Sequence, residues 1–339
     1  MKFLTKLLAL LFVLGLVLSV IAFFGGLDIA GLKDFFNDDE SYGVELVYTD
    51  DTVITKLVLD VETRNISVIP TDSDVITIKY HEHEKDTWSF VEGTGVLTVT
   101  QHKELEVFNW FNWKYVSPEI ITVYVEIPEV WLLELIVSSN VGNITIDYEN
   151  IPITNLAAVT NTGRILLSNL SLSELTIDVD TGNVNLNHSD VANDILITSN
   201  TGNVFVDTVN AQDINISSDT GDITLKDVEG EDLFVDNDTG FISLTRTNMI
   251  NEIELSTSTG NLVLSDSTAS GYELSASTGD VIVTLVDLSN LRYDLQTSTG
   301  NIKIDGAAQG NRHTTTTGSI LLKVRVSTGN IRINGTVTK

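Results

Sequence analysis

The sequence predicts an all-β chain: a single-stranded β-helix (β-solenoid) of about 20 residues per coil, with an N-terminal β-strand cap and one transmembrane helix ahead of it. Three observations carry this reading. A Thr-Gly phrase recurs at a nearly fixed period from residue 138 onward. On both sides of each of these glycines, aliphatic residues alternate with mixed ones, the period-two signature of a strand with one buried face. Ahead of the strands, residues 7–24 form a charge-free stretch, LLALLFVLGLVLSVIAFF.

That stretch comes first along the chain. Its eighteen residues fall within the roughly 17–25 that cross a bilayer as helix. Lys2 and Lys6 precede it, and Asp28, Asp34, Asp38, Asp39 and Glu40 follow it. The positive-inside rule then leaves the N-terminus in the cytoplasm and everything after residue 24 outside. A cleaved secretory signal is the alternative, with Val20-Ile21-Ala22 as a weak small-residue cleavage site; the apolar region is long for that role. We therefore expect a signal-anchor at 1–24, a single-pass cell-membrane protein and an extracytoplasmic C-terminal domain. Residues 25–43, with Gly, Asp and Asn among a few apolar residues, read as a linker.

Residues 44–137 lack the Thr-Gly phrase but contain strand-like runs: VITKLVLDV, NISVIP, VITIKY, VLTVTQ and IITVYVEIP. We assign them to an N-terminal β-strand region and cap. Within it Phe108, Trp110, Phe111, Trp113 and Tyr115 crowd eight residues. Such a run either covers the open end of a solenoid or contacts a glycan, lipid or protein; the sequence favours the cap. His81-Glu82-His83-Glu84 ends a strand-like run. Alternation puts both histidines on one face, but no third metal ligand accompanies them.

Residues 138–339 form the repeat. Its glycines are Gly142, Gly163, Gly182, Gly202, Gly221, Gly240, Gly260, Gly279, Gly300, Gly318 and Gly329. Two and four places after each stands Ile, Val or Leu in every copy, and Thr precedes the glycine in ten of eleven, Val141 being the exception. Pairs such as Leu175/Ile177, Ile195/Ile197 and Ile253/Leu255 sit seven and five places before it. Each coil is thus a strand, a Thr-Gly corner, a second strand and a variable return. Glycine at the corner allows positive φ, and the residue two places earlier is always Asn, Asp, Ser or Thr, able to hydrogen-bond locally.

In the order KLVLDVETRNISVIPTDSDVITIKY, GVLTVTQ, IITVYVEIP and then the STGNI/STGDV series, the chain from about 44 to 339 resembles the putative adhesin family of bacterial envelope proteins. These are β-strand-repeat domains of unknown function. The resemblance implies a single-stranded, right-handed β-helix and supplies neither a ligand nor catalytic residues. Some relatives accompany envelope-stress signalling systems.

Composition narrows the function. With 47 acidic and 19 basic residues the formal net charge is −28, which argues against nucleic acid as a partner. The chain has no Cys, excluding disulfides, thiolate metal sites and a Cys nucleophile. Asp180, Asp219 and Asp238 each begin an Asp-Thr-Gly triplet. An aspartic protease needs two such carboxylates sharing a proton, whereas here the triplet is one spelling of a structural corner. The same aspartates are weak Ca²⁺ candidates, since stacked carboxylates repel and a hard cation relieves them. An ice-binding row through Ser139/Val141, Thr160/Thr162 and Val179/Thr181 is too irregular to favour. From Gly306 onward there are five basic residues and no acid. We read these as protection of the terminal edge, with binding of an anionic polymer as the alternative. The expected function is a membrane-anchored, adhesin-like surface or binding scaffold without cofactor or enzymatic activity, with an envelope polymer, glycan or protein as partner. The alternative is an accessory or regulatory protein of envelope-stress signalling.

Overall fold

The computed structural model describes residues 38–104, 116–128, 133–148 and 153–336. The expected transmembrane segment at 1–24 and the aromatic run at 108–115 lie outside the described residues. Among those described, no helix is long and apolar enough to cross a membrane. The described residues are all-β, with one short 3-10 turn at Asp39–Ser41.

Two long sheets face each other, of 14 and 16 strands among the described residues. Strands preceding a corner, such as Glu174–Thr181, build the first; strands following it, such as Val184–Val191, build the second. Neighbours within each sheet are one coil apart and parallel, with corner aligned to corner: Thr162 pairs with Thr181 and Ile165 with Val184. The aliphatic positions identified in the sequence meet between the sheets. Ile144, Leu167, Ile177, Leu225, Val235 and Leu264 are fully buried. One core runs the length of the molecule, so each coil is stabilised by its neighbours rather than by a centre of its own.

The corner is held by backbone. The Gly163 amide donates to the Thr181 carbonyl of the next coil at 2.9 Å, and the same bond recurs from Gly182 to Thr201 and from Gly202 to Thr220. The glycine carbonyl points along the stack into the space a Cβ on the next corner would need. At Gly182, Gly202, Gly221, Gly240, Gly260 and Gly279 a Cβ would lie far inside 3.0 Å of the preceding glycine's oxygen. Each of these glycines also has positive φ, from 142° to 157°. Glycine is therefore required twice over, by conformation and by the absence of space.

A second corner lies six residues further on and uses no glycine. Asn169, His188, Thr208, Asp227, Arg246 and Asp266 have φ between 48° and 59°. L-residues pay about 1–2 kcal/mol in this region, least for Asn and Asp. The side chains here project outward, and Asp227 and Arg246 pair across coils.

At both ends the order of coils in space departs from their order in sequence. The last strand pair, Ile320–Thr328 and Ile331–Gly335, does not form the end. It inserts between Gly271–Thr278/Val281–Leu285 on one side and Leu291–Thr299/Ile302–Ile304 on the other. The short antiparallel strands Ala307–Gly310 and Arg312–Thr314 then cover the true edge. This corrects two expectations. Gly318 is not a corner: a Cβ there would strike the backbone of Asn290 and Leu291, and the following Ile320–Thr328 precedes the corner at Gly329. Of the basic residues, Arg312 stands on the outermost strand, but the three in the last strand pair do not guard an unpaired strand. Lys323 pairs with Glu273, Arg325 with Asp294, and Arg332 with Asp280, each across coils. Partial burial pushes the Asp280 carboxyl up, but hydrogen bonds from Asn330 and Arg332 outweigh this and hold it low.

The N-terminal end repeats the arrangement. Lys56–Val61 and Asn65–Thr71 lie parallel to Glu134–Val141 and Ile144–Asp147, so both sheets run unbroken across residue 137. The later pair Val96–Lys103 and Thr122–Pro128 lies outside them. Antiparallel strands finish this end: Asp86–Gly93 on one sheet, Ile76–His83 and then Tyr42–Asp50 on the other. Between these strands Tyr48 stacks on Phe90 at 4.3 Å and Tyr80 lies 4.2 Å from Trp88, all four packing on the end of the core.

The glycine column stops at Arg64. Its carbonyl faces the Cβ position of Gly142, so Arg64 stands where glycine stands in later coils. Its φ is not positive, and the coil outside it has no Thr-Gly corner. The Arg64 side chain is 1% exposed and pairs with Asp86, which is 0% exposed. Asp86 also accepts from the His83 amide and from Gln101 Nε2, while Gln101 Oε1 accepts the Glu62 and Thr63 amides. The Tyr42 ring lies 5.0 Å from the guanidinium.

Two outcomes follow from this packing. Gly260→Ala should lower the melting temperature, since even one methyl group meets the Gly240 carbonyl; the cost is at least the roughly 1–3 kcal/mol of corner strain. Gly271→Ala is the control, because its Cβ would approach nothing closer than Glu252 Oε1 at 3.9 Å, and it should melt like the parent. Asp86→Ala should cost about 3–5 kcal/mol in chemical denaturation, because it leaves a buried guanidinium without its counter-charge. The double variant Arg64→Met/Asp86→Leu should recover most of that loss.

Candidate functional site

Asp180, Asp219 and Asp238 are exposed on the outer rim of the corner. They belong to a ladder of short polar side chains. Asn161 Nδ2 donates to Asn140 Oδ1 at 2.7 Å, Asn200 Nδ2 to Asp180 Oδ1 at 2.7 Å, and Ser258 Oγ to Asp238 Oδ1 at 3.4 Å. Among the described residues no three His, Cys, Asp or Glu side chains gather closely enough to hold a metal ion. The Asp-Thr-Gly triplets stay on their separate coils.

A second ladder starts one residue after the glycine and has no counterpart in the sequence reading. The Asn143 side-chain oxygen accepts the Arg164 amide, Asn183 that of Asn203, Asn203 that of Asp222, and Asp222 that of Phe241, at 2.9–3.1 Å. It continues from Asn261 to Asp280 and from Asp280 to Asn330, following the spatial order of the coils. Three residues before the glycine, Ser139, Thr160, Asn237 and Thr297 are buried and donate to corner carbonyls. Ser139 and Thr160 thus face the interior, so the row weighed for ice binding does not form a surface.

His81 and His83 do not converge on a ligand site. His81 Nδ1 lies 2.9 Å from the Gly43 carbonyl. His83 is buried, its Nδ1 accepting the Lys85 amide, and its ring meets the edge of Tyr42 at 5.0 Å. Burial and then Lys103 depress its pKa, so the ring is neutral at pH 7. A hollow of about 480 Å³ lies beside this pair, between Tyr42–Leu46 and Glu82–Asp86.

A larger concavity lies elsewhere, on the returns that connect one coil to the next. It is an open trough of about 620 Å³ spanning the coils from Val191 to Thr268. Ala192, Ala211 and Gly230 form its floor. Gly230 is constrained to be small, since a Cβ would come within 2.7 Å of the Ala211 carbonyl. On one side Asn210, Glu229 and Asn248 stand in register on adjacent coils. On the other, Gln212 and Glu231 are tied by a backbone bond from the Glu231 amide to the Gln212 carbonyl. Met249 and Ile250, the latter 66% exposed, close one end. Among the described residues no Lys or Arg lines the trough, and none forms an ion pair with either glutamate. In the sequence the only trace of this site is the column of small residues in the return, which resembles ordinary loop composition.

Comparison with known proteins places this architecture. Three solved structures align over most of the chain at low identity. A "putative cell adhesion protein" from Clostridium sporogenes ATCC 15579 is 11% identical, covering 86% of this chain and 98% of that one, with a TM-score of 0.20. A "putative adhesin" from Bacteroides fragilis NCTC 9343 is 11% identical over 85% and 96%, with a TM-score of 0.37. A "putative lipid binding protein" from Parabacteroides distasonis ATCC 8503 is 9% identical over 86% and 97%, with a TM-score of 0.40. No curated protein matches significantly. The family described as Toastrack DUF4097 matches residues 54–334, in agreement with the β-strand-repeat resemblance read from the ordered phrases. The chain belongs to the Toastrack DUF4097 family.

Proposed function

We propose that this chain is a membrane-anchored, extracytoplasmic β-solenoid of a bacterial envelope that acts as a non-enzymatic, adhesin-like binding scaffold. The observation that carries the reading is the division of labour across each coil. The aliphatic side chains on the inner faces of its strands are used up in one continuous core, and many of its corner groups are used up in ladders between coils. What varies from coil to coil, and what remains open to a partner, is the return surface with its trough. A rigid stack that displays variable side chains at a fixed spacing suits recognition of an extended ligand.

The anchor is supported by the eighteen-residue apolar stretch at 7–24 and the lysines before it. It places the N-terminus in the cytoplasm and the solenoid outside, joined to the membrane at its N-terminal cap. An acidic exterior keeps such a domain dispersed at the surface by self-repulsion.

Protease added to protoplasts should degrade the solenoid, while an epitope fused before Lys2 remains protected. A solenoid shielded until the membrane is permeabilised would overturn the topology. Isolated envelope material should retain the full-length protein when purified in detergent; failure to bind any envelope fraction would overturn the scaffold reading.

A further inference from the structure

We propose that His83 is an acid-sensitive latch at the N-terminal end of the solenoid. While its ring is neutral it seats Tyr42 and the Glu84-Lys85 turn, and when the ring takes up a proton it lets them go. The inference concerns how the domain responds to its surroundings and is independent of what the scaffold binds. Its first support is the direction of two hydrogen bonds. His81 Nδ1 lies 2.9 Å from the Gly43 carbonyl. A carbonyl only accepts, so this nitrogen carries a proton, and the bond survives when the ring is protonated a second time. His83 Nδ1 lies 3.1 Å from the Lys85 amide nitrogen, which donates to it. This nitrogen is therefore bare, the ring proton sits on Nε2, and protonation removes the bond. Two histidines that stand two residues apart thus answer acid in opposite ways.

The charges around the ring act in the same sense. His83 is 8% exposed, and its ring meets the edge of Tyr42. The Tyr42 ring already faces two cations, the Arg64 guanidinium at 5.0 Å and the Lys103 ammonium at 5.7 Å; an imidazolium would be a third. Three acids also act on His83: Asp86 from strand Asp86–Gly93, Glu84 from the turn and Asp38 from the segment before Tyr42. Asp86 is already matched by Arg64, and Glu84 is exposed to water that screens it. Burial and Lys103 outweigh the acids and hold the ring below its ordinary pKa. The folded state therefore binds fewer protons than the unfolded one. The latch is fully engaged above the ordinary histidine value of about 6.5 and weakens as the pH falls below it.

Topology confines the effect to this corner. Tyr42 pairs with His83, but a register shift separates that pair from the continuous ladder of residues 45–50 on 76–81. The ladder holds when Tyr42 leaves its seat, and so do the bonds from Ser117 to the Asp39 carboxylate. The hollow of about 480 Å³ beside the pair gives the proton a path and the ring a place to move into. Tyr42 lies over the buried Arg64, whose guanidinium is joined to Asp86, so its departure admits water to that ion pair. The latch thus stands where the chain enters the solenoid, ahead of its first strand.

The test is amide hydrogen exchange of the full chain in detergent micelles, corrected for the intrinsic pH dependence of exchange. It compares about pH 7.5 with about pH 5.5, a range in which ordinary carboxylates do not titrate. The Lys85 amide bonds to His83 and the Tyr42 amide to the Asp39 carbonyl. Both should exchange about tenfold faster in acid, while the core amides of Val137 and Ile146 stay unchanged. His83→Gln keeps an oxygen acceptor for the Lys85 amide but cannot titrate, and it should abolish the response; His81→Gln should retain it. In the parent, the His83 ring followed by NMR should titrate with the same midpoint as the exchange. Exchange at Lys85 that ignores pH in the parent would overturn the proposal, as would a response that survives in His83→Gln. If circular dichroism shows that His83→Gln does not fold, the parent decides: a ring midpoint apart from the exchange midpoint would overturn the latch.

Discussion

The rest of the structure depends on a contact that side chains cannot make. At each corner the carbonyl of one glycine occupies the place where a Cβ of the next would be, and the amide of that same glycine reaches the threonine carbonyl of the following coil. Coils can approach to strand spacing at the corner only if every member of the column is glycine. Once they do, the pre-corner and post-corner strands fall into register, and the aliphatic positions on both sides meet in one core. The Asn and Asp side chains after the glycine add a parallel set of bonds to backbone amides, which explains why that residue is so often Asn in the repeated phrase.

Much of this is legible in the sequence because it is local. A fixed spacing of Thr-Gly and two flanking alternations specify corner and strands without knowledge of what lies next to what. The exceptions are instructive. Gly318 has the corner's neighbours, Thr317 before it and Ile320 two places after it, yet it sits in a turn against Asn290 and Leu291. The phrase encodes a bend, and only the partner coil decides whether the bend joins the column. The left-handed corner left only a weak mark: Asn169, Asp227 and Asp266 are of the types that tolerate this region best, but His188, Thr208 and Arg246 are not, and at those three the strain is tolerated by the surrounding register rather than chosen by the residue.

Coil order was the least legible feature. Parallel strands with the same aliphatic alternation are nearly interchangeable as neighbours, so the sequence alone suggests that each coil stacks on the one before. The chain instead sends its first and last coils one layer inward and finishes each end with a different coil and antiparallel strands. This blunts the edges that a uniform solenoid would expose. It also turns the basic residues at 323, 325 and 332 from edge charges into partners of Glu273, Asp294 and Asp280. The end of the core at the N-terminal side is covered by Tyr48, Tyr80, Trp88 and Phe90, residues too scattered in sequence to signal a common role. The trough was hidden for a related reason: Ala192, Ala211 and Gly230 acquire meaning only when stacked.

The most direct test of this account is amide hydrogen exchange at the two C-terminal corner glycines, resolved by NMR or by fragmentation mass spectrometry. In the structure the Gly329 amide bonds to the Thr299 carbonyl and the Gly279 amide to that of Thr328, so Gly329 lies inside the column. Among the described residues Gly300 ends the column, and its amide meets no further coil. The account predicts slow exchange at Gly279 and Gly329, with Gly300 exchanging far faster. A slow Gly300 beside a fast Gly329 would mean that the coils stack in sequence order, and it would contradict the column as described.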